Sequence, residues 1–110
     1  MQDRDSLVGK RFIEIQEKDV FYGEVLKKLS DEFYLILASN VAEEQASRRV
    51  YYPTQRVKSL NDMTGYKFYD VRIDYLYALR RAVKAKNFTL YYDIDYLIET
   101  GKERRIRYET

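Results

Sequence analysis

Cysteine, histidine and tryptophan are all missing from this 110-residue chain, which has a single proline and four glycines. Without cysteine there is no disulfide, no thiolate chemistry and no sulfur-ligated zinc. Without histidine the commonest general base and metal ligand is gone. No glycine-rich loop cradles a phosphate, and no nucleophile elbow or metal-ligand spacing occurs. Long apolar runs are also lacking. The longest is Phe33–Ala38, far short of a membrane span. The polar start Met-Gln-Asp-Arg-Asp carries no apolar segment of the secretory kind. These absences lead us to expect a cytoplasmic protein with no enzymatic activity, no cofactor and no membrane partner.

What is abundant is tyrosine, with twelve residues, and charge, at 35% of the chain. Twenty basic residues stand against eighteen acidic ones, a formal +2. That balance lacks the strong positive excess of a protein that coats a nucleic-acid backbone, so any such contact rests on local patches. The length sets a single domain, residues 1–110.

Lys10–Glu17 alternates, with Ile13 and Ile15 on one face and Phe12, Glu14 and Gln16 on the other. This predicts a first strand with one wet side. Lys18-Asp19 reads as a turn and Val20–Leu29 as a second strand, in which Gly23 marks a bulge or bend. After Ser30-Asp31-Glu32, the unbroken apolar run 33–38 predicts a third strand covered at least partly on both faces. Ala42–Ser47 reads as one helical turn or as a loop. Val50-Tyr51-Tyr52 resumes strand character until Pro53, and Gln55–Leu60 reads as a short fifth strand or a 3₁₀-linked strand. Asn61–Gly65 is the clearest break in the chain and separates a β unit over residues 8–60 from an extension over 66–110.

Beyond the break, Ile73, Leu76, Leu79 and Val83 recur at helical spacing, with Arg80, Arg81, Lys84 and Lys86 toward the end. We read an extended lead-in to about Val71, a helix over 72–86 and Asn87 as its stop. Alternation from Phe88 to Ile98 then predicts a strand that turns at Gly101-Lys102 into Arg104–Glu109, a terminal β-hairpin. A helix over Ile94–Thr100, ended by Gly101, is the competing reading. The expected fold is α+β: a small, strongly bent five-stranded barrel, then a helix and a hairpin.

Phe21-Tyr22-Gly23-Glu24-Val25, Asp31–Leu37, Val50-Tyr51-Tyr52 and Gln55–Leu60 resemble, in order and residue type, the bent strands of the Sm-like family, Hfq-like members included. The resemblance covers about half the chain. It implies an SH3-type barrel, rings of six or seven copies and single-stranded RNA held at a rim formed by Asp31, Phe33, Tyr34, Gln55 and Arg56. The chain departs from the family in its short N-terminal lead and in having Pro53-Thr54-Gln55-Arg56 where bacterial members carry a Lys-His signature.

Aromatic rings stack bases whatever the sequence, at about 1–3 kcal/mol per base, and arginine adds phosphate and cation–π contacts. Tyr34, Tyr51, Tyr52 and Arg56, with Arg48 and Arg49 beside them, form the candidate nucleic-acid site. Alternating tyrosines also fill a β core with their hydroxyls at its edge. Arg80–Lys86 would track a phosphate backbone or simply be a solvated helix face. If Asp93 and Asp95 lie on a strand they share one face and would suit a hard cation, although a wet strand face explains them without chemistry. The expected function is a non-enzymatic module binding single-stranded nucleic acid, RNA ahead of DNA. The alternative is a protein-interaction or inhibitor module docking through a tyrosine-rich surface. A free edge strand leaves homo-oligomers open.

Overall fold

The computed structural model describes residues 7–47, 53–88, 94, 98 and 99. Five strands form one antiparallel sheet: β1 (Arg11–Gln16), β2 (Asp19–Lys28), β3 (Phe33–Asn40), β4 (Thr54–Ser59) and β5 (Lys67–Tyr69). Two helices with described bounds, α1 (Val41–Ser47) and α2 (Arg72–Ala85), accompany it, with a 3₁₀ turn at Asn61–Met63 between β4 and β5. The spatial order is β4-β3-β2-β1-β5. Since β4 and β5 are the two ends, the sheet is open and not a closed barrel.

The fifth strand comes from an unexpected place. Val50-Tyr51-Tyr52 lies outside the described residues, and the sheet instead takes β5 from beyond the Asn61–Gly65 break. Phe12 pairs with Phe68 and Arg11 with Tyr69, so the break is a turn within the sheet. Ser59 and Asp62 fix that turn reciprocally. The Asp62 amide donates to the Ser59 hydroxyl and the Ser59 amide to the Asp62 carboxylate, both at 3.0 Å, as in a capping box.

Period-2 patterning divides the sheet into two faces. The inner face carries Phe12, Phe21, Val25, Tyr34, Ile36 and Ala38, closed over by Met63 and Tyr66. On the outer face Ile13, Val20 and Tyr22 pack under Tyr75, Leu76, Leu79 and Val83 of α2. Each such buried Leu or Val contributes about 1.5–3 kcal/mol over leaving it exposed. The wet side expected for β1 is therefore absent in its first half, where Phe12 and Ile13 are both buried. The helical spacing of Leu76, Leu79 and Val83 is what buries that stripe.

β2 and β3 approach closely at Gly23, where a Cβ would run into the Leu37 carbonyl oxygen and come within 2.7 Å of the Ala38 Cα. Two residues on, the register shifts between Val25 and Lys27, a bulge at Leu26. The sequence signal of a glycine inside a strand is thus realised as close contact beside a bulge.

α2 ends as expected at Asn87, with φ of 63°. The Phe88 amide donates to the Val83 carbonyl at 3.0 Å and the Asn87 amide to the Lys84 carbonyl at 2.9 Å, the Schellman arrangement. Beyond it, Ile94, Ile98 and Glu99 are helical. The strand reading over 88–98 is corrected at those positions in favour of the competing helix. Ile94 and Ile98 are spaced i, i+4 and both join the core under α2, which a strand at that spacing would also allow but the helical backbone excludes. The second arm of the expected hairpin, Arg104–Glu109, lies outside the described residues.

Candidate functional site

Tyr34 is sealed in the inner core and fully buried. The expectation that it forms an exposed stacking platform is corrected. It shares the parity of Ile36 and Ala38 in β3, so the face that buries them buries it. Arg48, Arg49, Tyr51 and Tyr52 lie outside the described residues. Of the tyrosines described, Tyr22, Tyr66 and Tyr75 are also buried, Tyr69 is half-buried and Tyr77 is exposed. Tyrosine here fills the interior more than it decorates the surface.

Arg56 is half-buried on the inner face of β4. Its guanidinium lies 5.1 Å from the centroid of the Phe21 ring, and Lys58 Nζ lies 5.6 Å from the same ring. Arg56 Nε donates to Thr54 Oγ1 at 3.0 Å and Nη2 to Asn40 Oδ1 at 3.4 Å. Beneath them, Phe12 and Tyr66 stack at 4.5 Å. The two cations roof an aromatic core whose uppermost ring they already occupy, so no base can stack on Phe21. Burial, with the Glu14 carboxylate close by, raises the Tyr66 hydroxyl well above the ordinary tyrosine range. The outlying Asp62 carboxyl is held below its usual value, chiefly by the Ser59 amide and then by its hydroxyl.

Adjoining Arg56 through Asn40, a polar latch holds α1. Glu44 is buried and accepts from the Tyr22 hydroxyl at 2.9 Å and the Ser39 hydroxyl at 2.7 Å. Asp19 Oδ1 accepts from the Ala42 amide at 2.7 Å, capping the helix, and its Oδ2 accepts from Asn40 Nδ2 at 2.9 Å. A buried carboxylate held by two hydroxyls is structurally satisfied.

The exposed stripe of α2 is different in kind. Tyr77, Arg81 and Lys84 recur at i, i+4 and i+7, opposite the buried stripe. Tyr77 is 41% exposed, with the Arg80 guanidinium 5.2 Å from its ring centroid. Among the described residues neither Arg81 nor Lys84 forms an ion pair. Residues 75–92 contain Arg80, Arg81, Lys84 and Lys86 and no acid. Removing those four cations from the twenty leaves sixteen against eighteen acids, a net −2 for the rest of the chain. Lys86 Nζ donates to the Glu17 carbonyl at 2.9 Å and pins the basic end of α2 to the β1–β2 turn. The sequence signal for Tyr77 is its place in the helical period outside the apolar stripe of Leu76, Leu79 and Val83.

Beyond Ser39, which α1 covers through Glu44, the outer face of β3 and β4 carries partly exposed apolar side chains. Leu37 lies between Glu24 and Gln55, Leu35 between Lys27 and Val57, and Phe33 beside Ser59. Phe33 is 44% and Val57 55% exposed, while Leu35 and Leu37 are half-buried. The coverage expected on both sides of the third strand is only partial here, because α2 packs on β1, β2 and β5.

No family model, curated protein or solved structure matches the chain. Among the described residues no group of three or more acidic side chains gathers as a metal site, and no helix is long and apolar enough to cross a membrane. The Asp93–Asp95 pair lies outside the described residues.

Proposed function

We propose that the chain is a non-enzymatic binding module for single-stranded nucleic acid, gripping it along the outer stripe of α2. The observation that carries this reading is the segregation of charge: four cations and no acid over residues 75–92, beside one exposed tyrosine ring. Arg81 and Lys84 project from a helix anchored at both ends and contact phosphates. Tyr77 offers a stacking surface, steadied by Arg80. The site thus moves from the β3–β4 loops to the helix, since Tyr34 is buried and Phe21 is already roofed. RNA ahead of DNA follows only from the Sm-like resemblance. The strand order and the single 3₁₀ turn between the end strands support reading the sheet as an opened SH3/Sm-like one.

The test is fluorescence anisotropy with labelled single-stranded RNA and DNA of mixed sequence across a salt series. Phosphate contacts by Arg81 and Lys84 give a log–log salt slope of about −1.4, and the double variant R81Q/K84Q removes most of it. Binding that is absent at low salt, or indifferent to that variant, overturns the reading. A second reading, a protein partner, is favoured by the exposed apolar side chains Phe33 and Val57 on the outer face of β3 and β4, since exposed apolar patches mark interaction sites. Binding partners recovered from lysate in the presence of nuclease separate the two.

A further inference from the structure

We infer that the outer face of β3 and β4 is a self-association surface, on which two copies of this chain pack sheet against sheet across a twofold axis. The axis lies in the interface plane, perpendicular to the strands, between the rows of Leu37 and Leu35. The argument starts from the strand register. One row reads Arg11, Glu24, Leu37, Gln55 and the next Lys27, Leu35, Val57. Because the Leu26 bulge returns Lys27 to the face of Glu24, one strand presents an acid and a base at the rim of the same apolar patch. Rotation about the stated axis lays each row over the other row of the second copy. Leu35 then meets Leu37, and Glu24 meets Lys27 twice, once on each side of the axis. The surface is charge-complementary to itself, as an isologous interface requires.

Three further observations fit this occupant. Neither Glu24 nor Lys27 forms an ion pair among the described residues, so both are available. Leu29, 45% exposed in the β2–β3 turn, extends the patch away from α2. With the rows antiparallel, the two copies of α2, which cover the Val20–Tyr22 end of β2, fall at opposite ends of the interface. Aligned sheets then approach to about 10 Å, the ordinary spacing of a β-sandwich. Edge-to-edge pairing of two β4 strands fits less well. The twofold antiparallel registers that pair most of β4 (Thr54–Ser59) set Arg56 opposite Arg56 or Lys58, and like charges facing across strands are destabilising.

This inference stands apart from the nucleic-acid reading, since it uses neither α2 nor any phosphate contact. The experiment is sedimentation equilibrium on the full nuclease-treated chain, with thermal melts to confirm that each variant folds. Val57 is exposed on an end strand, so V57K leaves the fold intact and is expected to give a monomer. K27E weakens the dimer about tenfold by replacing two attractions with two repulsions, and the charge swap E24K/K27E restores it. R81Q/K84Q leaves the mass unchanged. A wild-type monomer at about 100 μM, well above the micromolar range of specific association, overturns the inference. So does a dimer indifferent to V57K, or one that the charge swap fails to rescue. A mass of six or seven chains insensitive to V57K overturns it in favour of edge-to-edge rings.

Discussion

The guanidinium of Arg56 sits 5.1 Å above the centroid of Phe21, two strands away across the inner face. A residue suited by type to clamp a phosphate is instead part of the roof over the aromatic core. Arg56→Ala removes the cation–π contact and the hydrogen bonds to Thr54 and Asn40. It is expected to cost about 1 kcal/mol in a partly exposed setting. Urea denaturation reads that loss as a lower midpoint at unchanged slope. Oligonucleotide affinity should stay within about twofold of wild type, less than half a kcal/mol. A selective collapse of binding in this variant would return the site to β4.

Gly23 is the position least able to accept a side chain. A methyl group there meets the backbone of Leu37 and Ala38, neither of which can swing aside. Gly23→Ala should therefore destabilise by about 3 kcal/mol or more, as overpacking against a fixed backbone does. Loss of cooperative thermal unfolding by circular dichroism is the expected result. A variant melting within a few degrees of wild type would show that β2 and β3 separate freely at this point.

Much of this architecture was legible in residue patterns, and the failures have identifiable causes. The first three strands announce themselves through the alternation of Lys10–Glu17, the apolar run Phe33–Ala38 and the turn residues between them. α2 does so through Ile73, Leu76, Leu79 and Val83, with Asn87 as its stop. β5 was hidden because Lys67-Phe68-Tyr69 is too short to show a period and follows the strongest break in the chain. Its partner, β1, lies more than fifty residues earlier, and pairing at that distance leaves no local trace. Tyr34 misled for another reason. Phenolic rings suit both a core and a docking surface, and only the parity of β3 decides which. The partial cover expected on both faces of β3 agrees with half-buried Leu35 and Leu37, while the exposure of Phe33 and Val57 depends on the reach of α2, which no local pattern fixes.

Alkali should destabilise the fold through Tyr66. Burial raises its ionisation point above the ordinary value near 10, with Glu14 adding to the effect. The folded state therefore prefers the neutral phenol. Its stabilisation is complete below the unfolded-state value and is lost as pH rises past about 10 toward the folded-state value. Stability measured by urea from pH 8 to 11 should fall in the upper part of that range, and Tyr66→Phe should flatten the fall. If the variant shows the same alkaline decline, another tyrosine or a lysine governs it.

The latch on α1 offers a sharper test of buried polar chemistry. Glu44 is buried and accepts hydrogen bonds from the hydroxyls of Tyr22 and Ser39. Tyr22→Phe removes one donor and keeps the ring packed under α2, leaving a buried carboxylate with less compensation. Such a loss costs about 1–3 kcal/mol. Glu44→Gln keeps the shape but gives up the charge-assisted character of both bonds. Because the two changes act on one contact, their effects should not add. The double variant is expected to lie about 1 kcal/mol closer to wild type than the sum of the singles. A double-variant cycle by urea denaturation measures this. Strict additivity would mean that the hydroxyl and carboxylate contribute separately and that α1 is held by Asp19 and packing alone.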